Sequence, residues 1–161
     1  MKISEHISYR EAIYSYTAIR NDIDNIPDIE QLKRIQLAAE NIFEPLREWV
    51  GRPIKINSCF RSAELNKRIG GAQSSQHCAN NGAAFDLDDT YGHKTNAEMF
   101  HYIKDNLDFD QLIGEFPNGE GNPSWVHVSY KEDNNRGQIL IAVKNPKTSY
   151  IVYEGNENLI K

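Results

Sequence analysis

Two histidines and an aspartate in this chain have the types and setting of a metal site. His77 lies in the polar stretch SSQHCANNG, Asp86 follows it by nine positions in AAFDLD, and His127 lies in SWVHVSY. Two neutral imidazoles and one carboxylate, with a coordination position left to water, make a recognised donor set for catalytic zinc. A hydrolytic zinc site also needs a base to take the proton of that water. Glu115, near the end of the apolar segment FDQLIGEF, is the first candidate. Glu120, in the loop PNGEGNP, is the weaker one. Arg61 precedes a helix N-terminus, where a guanidinium can hold a carboxylate by a bidentate pair.

Each of these residues also has an ordinary reading. Asp86 and Asp88 are compatible with a solvated sheet face, and His127 with a packed mid-strand histidine. Glu115 is compatible with an exposed strand terminus, and Arg61 with a surface pair to Glu64. His6, His93 and His101 have no metal spacing with one another and read as structural or exposed.

The elements that must position these groups follow from periodicity. In AAFDLD, strand alternation puts Phe85 and Leu87 on one face and Ala84, Asp86 and Asp88 on the other. In SWVHVSY, Val126, Val128 and Tyr130 share one face, and Trp125, His127 and Ser129 the other. If Glu115 faces the site, Leu112, Gly114 and Phe116 face the core. Further strands are expected in IKINSCF, QILIAVK and YIVYE, with NPKTS as a hairpin turn between the last two.

The longest helical signal runs from about Asp28 to Val50, where Ile29, Leu32, Ile35, Ala39, Ile42, Leu46 and Trp49 make one stripe. Asn25 and Pro27 suit its start, Gly51 its end, and Pro45 should kink it. A shorter helix is expected over Tyr9 to Tyr16. Another is capped by Ser62 and stopped by Gly70-Gly71, and a third opens on the capping box TNAE and reaches about Asn106. Helices early and strands late imply an α+β domain with a mainly antiparallel sheet flanked by helices.

The 161 residues fit one compact domain, residues 1–161. The net charge of -5 without a basic run argues against nucleic-acid binding. No stretch approaches the ~18 apolar residues of a membrane span. No signal peptide is readable at the N-terminus, so synthesis in the cytoplasm is expected. Cys59 and Cys78 are expected to be free thiols in that compartment.

The order INSCFRSAELNKRIGGAQSSQH, GAAFDLD, FDQLIGEF, WVHVSY resembles the zinc D-alanyl-D-alanine peptidases of bacterial cell walls. Within them it is most similar to the single-domain carboxypeptidase-like branch of bacteria and phage endolysins, which shares the α+β fold of the Hedgehog signalling domain. The resemblance covers roughly Ile3 to Tyr130. It implies that His77, Asp86 and His127 are ligands of one zinc ion. It also implies that Arg61 and Ser75 bind substrate near the metal and that Glu115 is the base. The implied substrate is a peptidoglycan stem peptide containing D-amino acids, cut at the wall by an endolysin-type endopeptidase or a D,D-carboxypeptidase; the protein is expected to be a monomer.

There are two departures from the family pattern. The family usually places the aspartate two positions nearer the histidine, so CANN lengthens this loop. Because the extra residues precede GAAFD, the phase of Asp86 is kept and the insertion is expected to bulge outward. Some branches also carry an acidic residue three positions before the last histidine, where this chain has Ser124. That substitution supports an alternative, a non-catalytic zinc-containing module that binds wall peptide or another protein.

Overall fold

The computed structural model of the chain describes residues 1–155 and 158–161. Six strands form one sheet in the order β1-β2-β4-β3-β5-β6. They are β1 (Lys55–Ser58), β2 (Ala83–Asp88), β3 (Gln111–Glu115), β4 (Trp125–Tyr130), β5 (Gln138–Lys144) and β6 (Thr148–Val152). All neighbours are antiparallel except β3 and β5, which run parallel. The fold is therefore α+β with a mostly antiparallel sheet, as expected.

Alternation divides the sheet into two faces. Phe85, Leu87, Leu112, Val126, Val128 and Ile141 are fully buried and form the core side. Against them pack Ile35, Ala38, Ile42, Phe43 and Leu46 from the long helical segment, and Met99, Phe100 and Ile103 from α6 (Asn96–Asn106). The core thus lies between the sheet and one layer of helices. The opposite face carries the polar residues and faces an open cleft.

The long helical segment is continuous but not uniform. It consists of α3 (Ile29–Ala38), a π-helical turn (Ala39–Phe43) and α4 (Glu44–Val50), which ends on Gly51 in a left-handed conformation. Pro45 sits in the first turn of α4, where its missing N–H and ring are accommodated by the wider turn upstream. The helix start is capped by Asp28, paired reciprocally with Gln31, and not by Asn25.

The expected Tyr9–Tyr16 helix is two helices, α1 (Tyr9–Ile13) and α2 (Tyr16–Arg20), each with its own serine cap, Ser8 and Ser15. Tyr14 between them is extended, so the apolar pattern that joined them crosses a break. Helix α5 (Ala63–Arg68) is capped by Ser62, and α6 by the capping box of Thr95 and Glu98. The hairpin strand β6 starts at Thr148, two residues before the expected YIVYE segment.

Candidate metal centre

Three polar side chains meet in the middle of the open face. Asp86 on β2 and His127 on β4 are directly level in the antiparallel pairing, so their side chains leave the same face as neighbours. Asp86 Oδ1 lies 2.9 Å from His127 Nδ1 and 3.2 Å from His77 Nε2. The two histidine nitrogens are 3.2 Å apart. Zinc–nitrogen bonds of about 2.0–2.1 Å in a tetrahedron would set neighbouring donors about 3.3 Å apart. The three donors therefore fit one ion with little movement.

His77 reaches the centre from outside the sheet. It sits in a single 3-10 turn, Gln76–Cys78, started by Ser75, whose hydroxyl accepts from the His77 N–H. His77 Nδ1 lies 2.7 Å from the Cys59 carbonyl. A carbonyl can only accept, so Nδ1 carries the proton and Nε2 presents its lone pair to the centre. Burial also pushes the His77 imidazole toward its neutral form, against the pull of Asp86.

The loop between His77 and Asp86 is anchored differently from the expectation. Cys78 and Ala79 of CANN are buried, and only Asn80 and Asn81 are exposed. Gln31 on α3 donates to the Cys78 carbonyl and Arg34 to that of Ala79, which draws the first half of the insertion inward. Ala79 takes a left-handed turn there. The chain re-joins the sheet at Gly82, also left-handed, where a Cβ would collide with the Tyr130 carbonyl. The insertion bulges in its second half only, and His77 and Asp86 both still reach the centre.

Arg61 does not pair with Glu64. Its Nη2 donates to Asp86 Oδ2 at 2.9 Å and its Nε to Ser58 Oγ at 3.0 Å. The Asp86 carboxylate is thereby divided, with Oδ2 held by Arg61 and Oδ1 left for the centre. Burial alone would raise the Asp86 pKa, but the two histidines hold the carboxyl far below its usual range. It is an ionised, oriented acceptor. Asn25, which sequence reasoning used only as a helix-start signal, grips both sides of Arg61. Its amide donates to the Phe60 carbonyl, and its oxygen accepts from the Ser62 N–H.

Glu115 ends β3, level with Trp125 and therefore on the cleft face. It is 8% exposed, and among the described residues its carboxylate has no hydrogen-bond partner. Burial pushes its pKa up to about 7, with His127 opposing the rise and Asp86 adding to it. A carboxylate with that affinity for a proton can take one and release it near neutrality. Phe116 departs from the expected alternation. It has a left-handed backbone, lines the cleft, and meets Trp125 edge-on with ring centroids 5.4 Å apart.

The remaining candidates lie elsewhere. Asp88 accepts from Thr90 and Asn96 at the start of α6. His6 pairs with Glu44, and His101 lies edge-on to Phe100. Glu120 is exposed and does not line the cleft. Ser124 donates its N–H to the Glu115 carbonyl and its hydroxyl to that of Phe116. Its role is thus to close the β3–β4 connection beside Glu115. Cys59 and Cys78 are free and buried, and burial raises both thiol pKa values.

The cleft around this centre has a volume of about 900 Å³ and includes Arg61, Ser75, His77, Asp86, Glu115 and His127. A sheet face that brings together two histidines, one aspartate and a buried glutamate of raised pKa has the equipment of a metal-dependent hydrolase. The sequence profile of the peptidase M15 family matches residues 5–129. The chain belongs to that family, the zinc D-alanyl-D-alanine peptidases. A comparison with curated proteins finds no match.

Proposed function

We propose that the protein is a single-domain zinc peptidase that hydrolyses peptidoglycan stem-peptide bonds involving D-amino acids. We assign His77 Nε2, His127 Nδ1 and Asp86 Oδ1 as the donors to one zinc ion. The observation that carries this reading is their convergence on the same sheet face as Glu115. Zinc in such a site acidifies water and polarises a carbonyl.

The chain's own residues do the rest. Glu115 takes the proton of the attacking water as the C–O bond forms, then gives it to the leaving amine as the C–N bond breaks. Arg61 holds Asp86 in its one-oxygen presentation and lies beside the substrate path. Ser75 fixes the turn of His77 and borders the cleft, where it can contact substrate. The likeness of its motif order to the endolysin-like branch with the Hedgehog-like fold supports action on the cell wall.

Digestion of purified peptidoglycan by the zinc-loaded protein, with fragments read by mass spectrometry, tests the reading. Split stem peptides mean an endopeptidase, and free D-alanine alone means a carboxypeptidase. An intact wall with zinc bound would replace the enzyme with a zinc-containing binding module.

A further inference from the structure

The sheet row that carries Glu115 extends over two more strands. Glu115 is level with Trp125 of β4 on one side and with Ala142 of β5 on the other. Ala142 is in turn level with Tyr150 of β6. Residues in register project to the same face. Trp125, Glu115, Ala142 and Tyr150 therefore form one line across the cleft floor. The next row on that face holds Asp86, His127, Ile113 and Leu140, about 7 Å away along the strands.

With strands about 4.8 Å apart, Glu115 and Tyr150 start about 10 Å apart at their Cα atoms. Only the methyl of Ala142 stands between them. Ala142 is fully buried although it lies on the open face. Tyr150 lines the cleft with Glu115, Trp125 and His127. The residue is more than half exposed, and among the described residues its hydroxyl has no hydrogen-bond partner. A tyrosine on an exposed edge strand contributes little to the core. This one borders the same cleft as the centre and carries an unbonded O–H.

Attack on a peptide carbonyl places negative charge on its oxygen, and a donor aimed at that oxygen lowers the barrier. Arg61 is already turned to Asp86 and Ser58. We propose that Tyr150 is a catalytic hydrogen-bond donor whose phenol O–H reaches across Ala142 to the substrate oxygen that gains charge. The phenol keeps its proton throughout, and Glu115 alone transfers one. Partial burial, together with the charges of Glu115 and Asp86, raises the Tyr150 pKa, so the phenol holds its proton more firmly than a free tyrosine.

This role rests on the peptidase reading, and the test separates the two. Zinc-loaded parent and Tyr150→Phe proteins are compared on purified peptidoglycan and on binding of a phosphinic D-Ala-D-Ala analogue. The hydroxyl role predicts a fall in kcat of about 10- to 100-fold, KM within about twofold, and analogue affinity weaker by a similar factor. In metal-free protein labelled at tyrosine Cζ, Glu115→Gln should shift the Tyr150 carbon resonance. A Tyr150→Phe enzyme as fast as the parent overturns the role. So does a loss seen only in KM and only in Tyr150→Ala, since the ring alone would then matter. A parent that binds zinc and leaves the wall intact overturns the peptidase reading instead, whatever the resonance does.

Discussion

His77 Nδ1 stands 2.7 Å from the carbonyl oxygen of Cys59, the last residue before Phe60 and Arg61. The same short segment therefore fixes the tautomer of one candidate ligand and, through Arg61, the orientation of another. Arg61 also donates its backbone N–H to the His77 carbonyl at 2.9 Å. His77 and Arg61 are thus coupled through the main chain as well as through Asp86. Zinc affinity should depend on this segment as much as on the donors themselves.

Zinc titration into metal-free protein should raise Tm. At a free concentration one hundred times Kd the stabilisation is about 2.7 kcal/mol. His127→Ala and Asp86→Asn should each abolish that rise and reduce bound zinc well below one per chain by elemental analysis. A chelator should remove activity from the parent, and added zinc should restore it. A His127→Ala protein that still binds one zinc would sink the donor assignment.

Glu115→Gln should retain zinc while cleavage falls by about 100-fold or more. The pH dependence has a definite sign. Folded Glu115 has its pKa raised from 4.5 to about 7, so its contribution to stability is present at low pH and lost as pH rises toward and through 7. Metal-free Glu115→Gln should therefore be more stable than the parent at pH 8, by about 1–3 kcal/mol, and similar to it at pH 4. Peptidase activity should rise with pH as the carboxylate forms, with a midpoint below 7 once a cation sits nearby. Denaturation curves at the two pH values and a rate profile check both limbs.

The alternation of AAFDLD and SWVHVSY was sufficient to put Asp86 and His127 on the polar face, because a strand has a period of two and one face must be core. Phe85, Leu87, Val126 and Val128 are indeed fully buried. The pairing that makes Asp86 and His127 neighbours is non-local, and only the resemblance to known peptidases joined them. The Tyr150 row was illegible for the same reason, since β5 lies parallel to β3 and no local pattern encodes that register. The inward turn of the first half of CANN has no local signal, because Gln31 and Arg34, more than forty residues away, supply its carbonyls with donors. Ser15, whose hydroxyl accepts from the Ala18 N–H, is a local signal for the second short helix.

Asn25 should prove more costly to remove than its loop position implies. It donates to the Ile13 and Phe60 carbonyls and accepts from the Ser62 N–H at 2.6 Å. Asn25→Ala would strand these buried main-chain groups, at a cost of about 2–4 kcal/mol. Because two of them flank Arg61, zinc affinity should fall as well. Thermal unfolding and zinc titration on one sample distinguish this from a purely structural loss, which would leave the zinc Kd unchanged at temperatures where the variant is folded.

A second ion cluster secures the far end of the cleft. Asp110, 1% exposed at the start of β3, accepts from Arg136 Nη2 at 2.6 Å and lies 3.0 Å from Lys131 Nζ. Burial opposes its charge, but Arg136 and Lys131 hold the carboxyl well below its usual pKa. A lowered pKa gives stability that is present above about pH 4, the unfolded value, and lost as pH falls below it. Arg136 is half exposed at its outer end, so solvent weakens the pair, and Asp110→Asn should cost only about 1–3 kcal/mol at pH 7. The variant and the parent should draw together progressively as pH falls from about 4 toward the lowered folded value. Since Arg136 ties the β4–β5 connection to β3, amides of residues 131–137 should exchange faster in Asp110→Asn at pH 7. Unchanged exchange there would show that the cluster does not hold the loop.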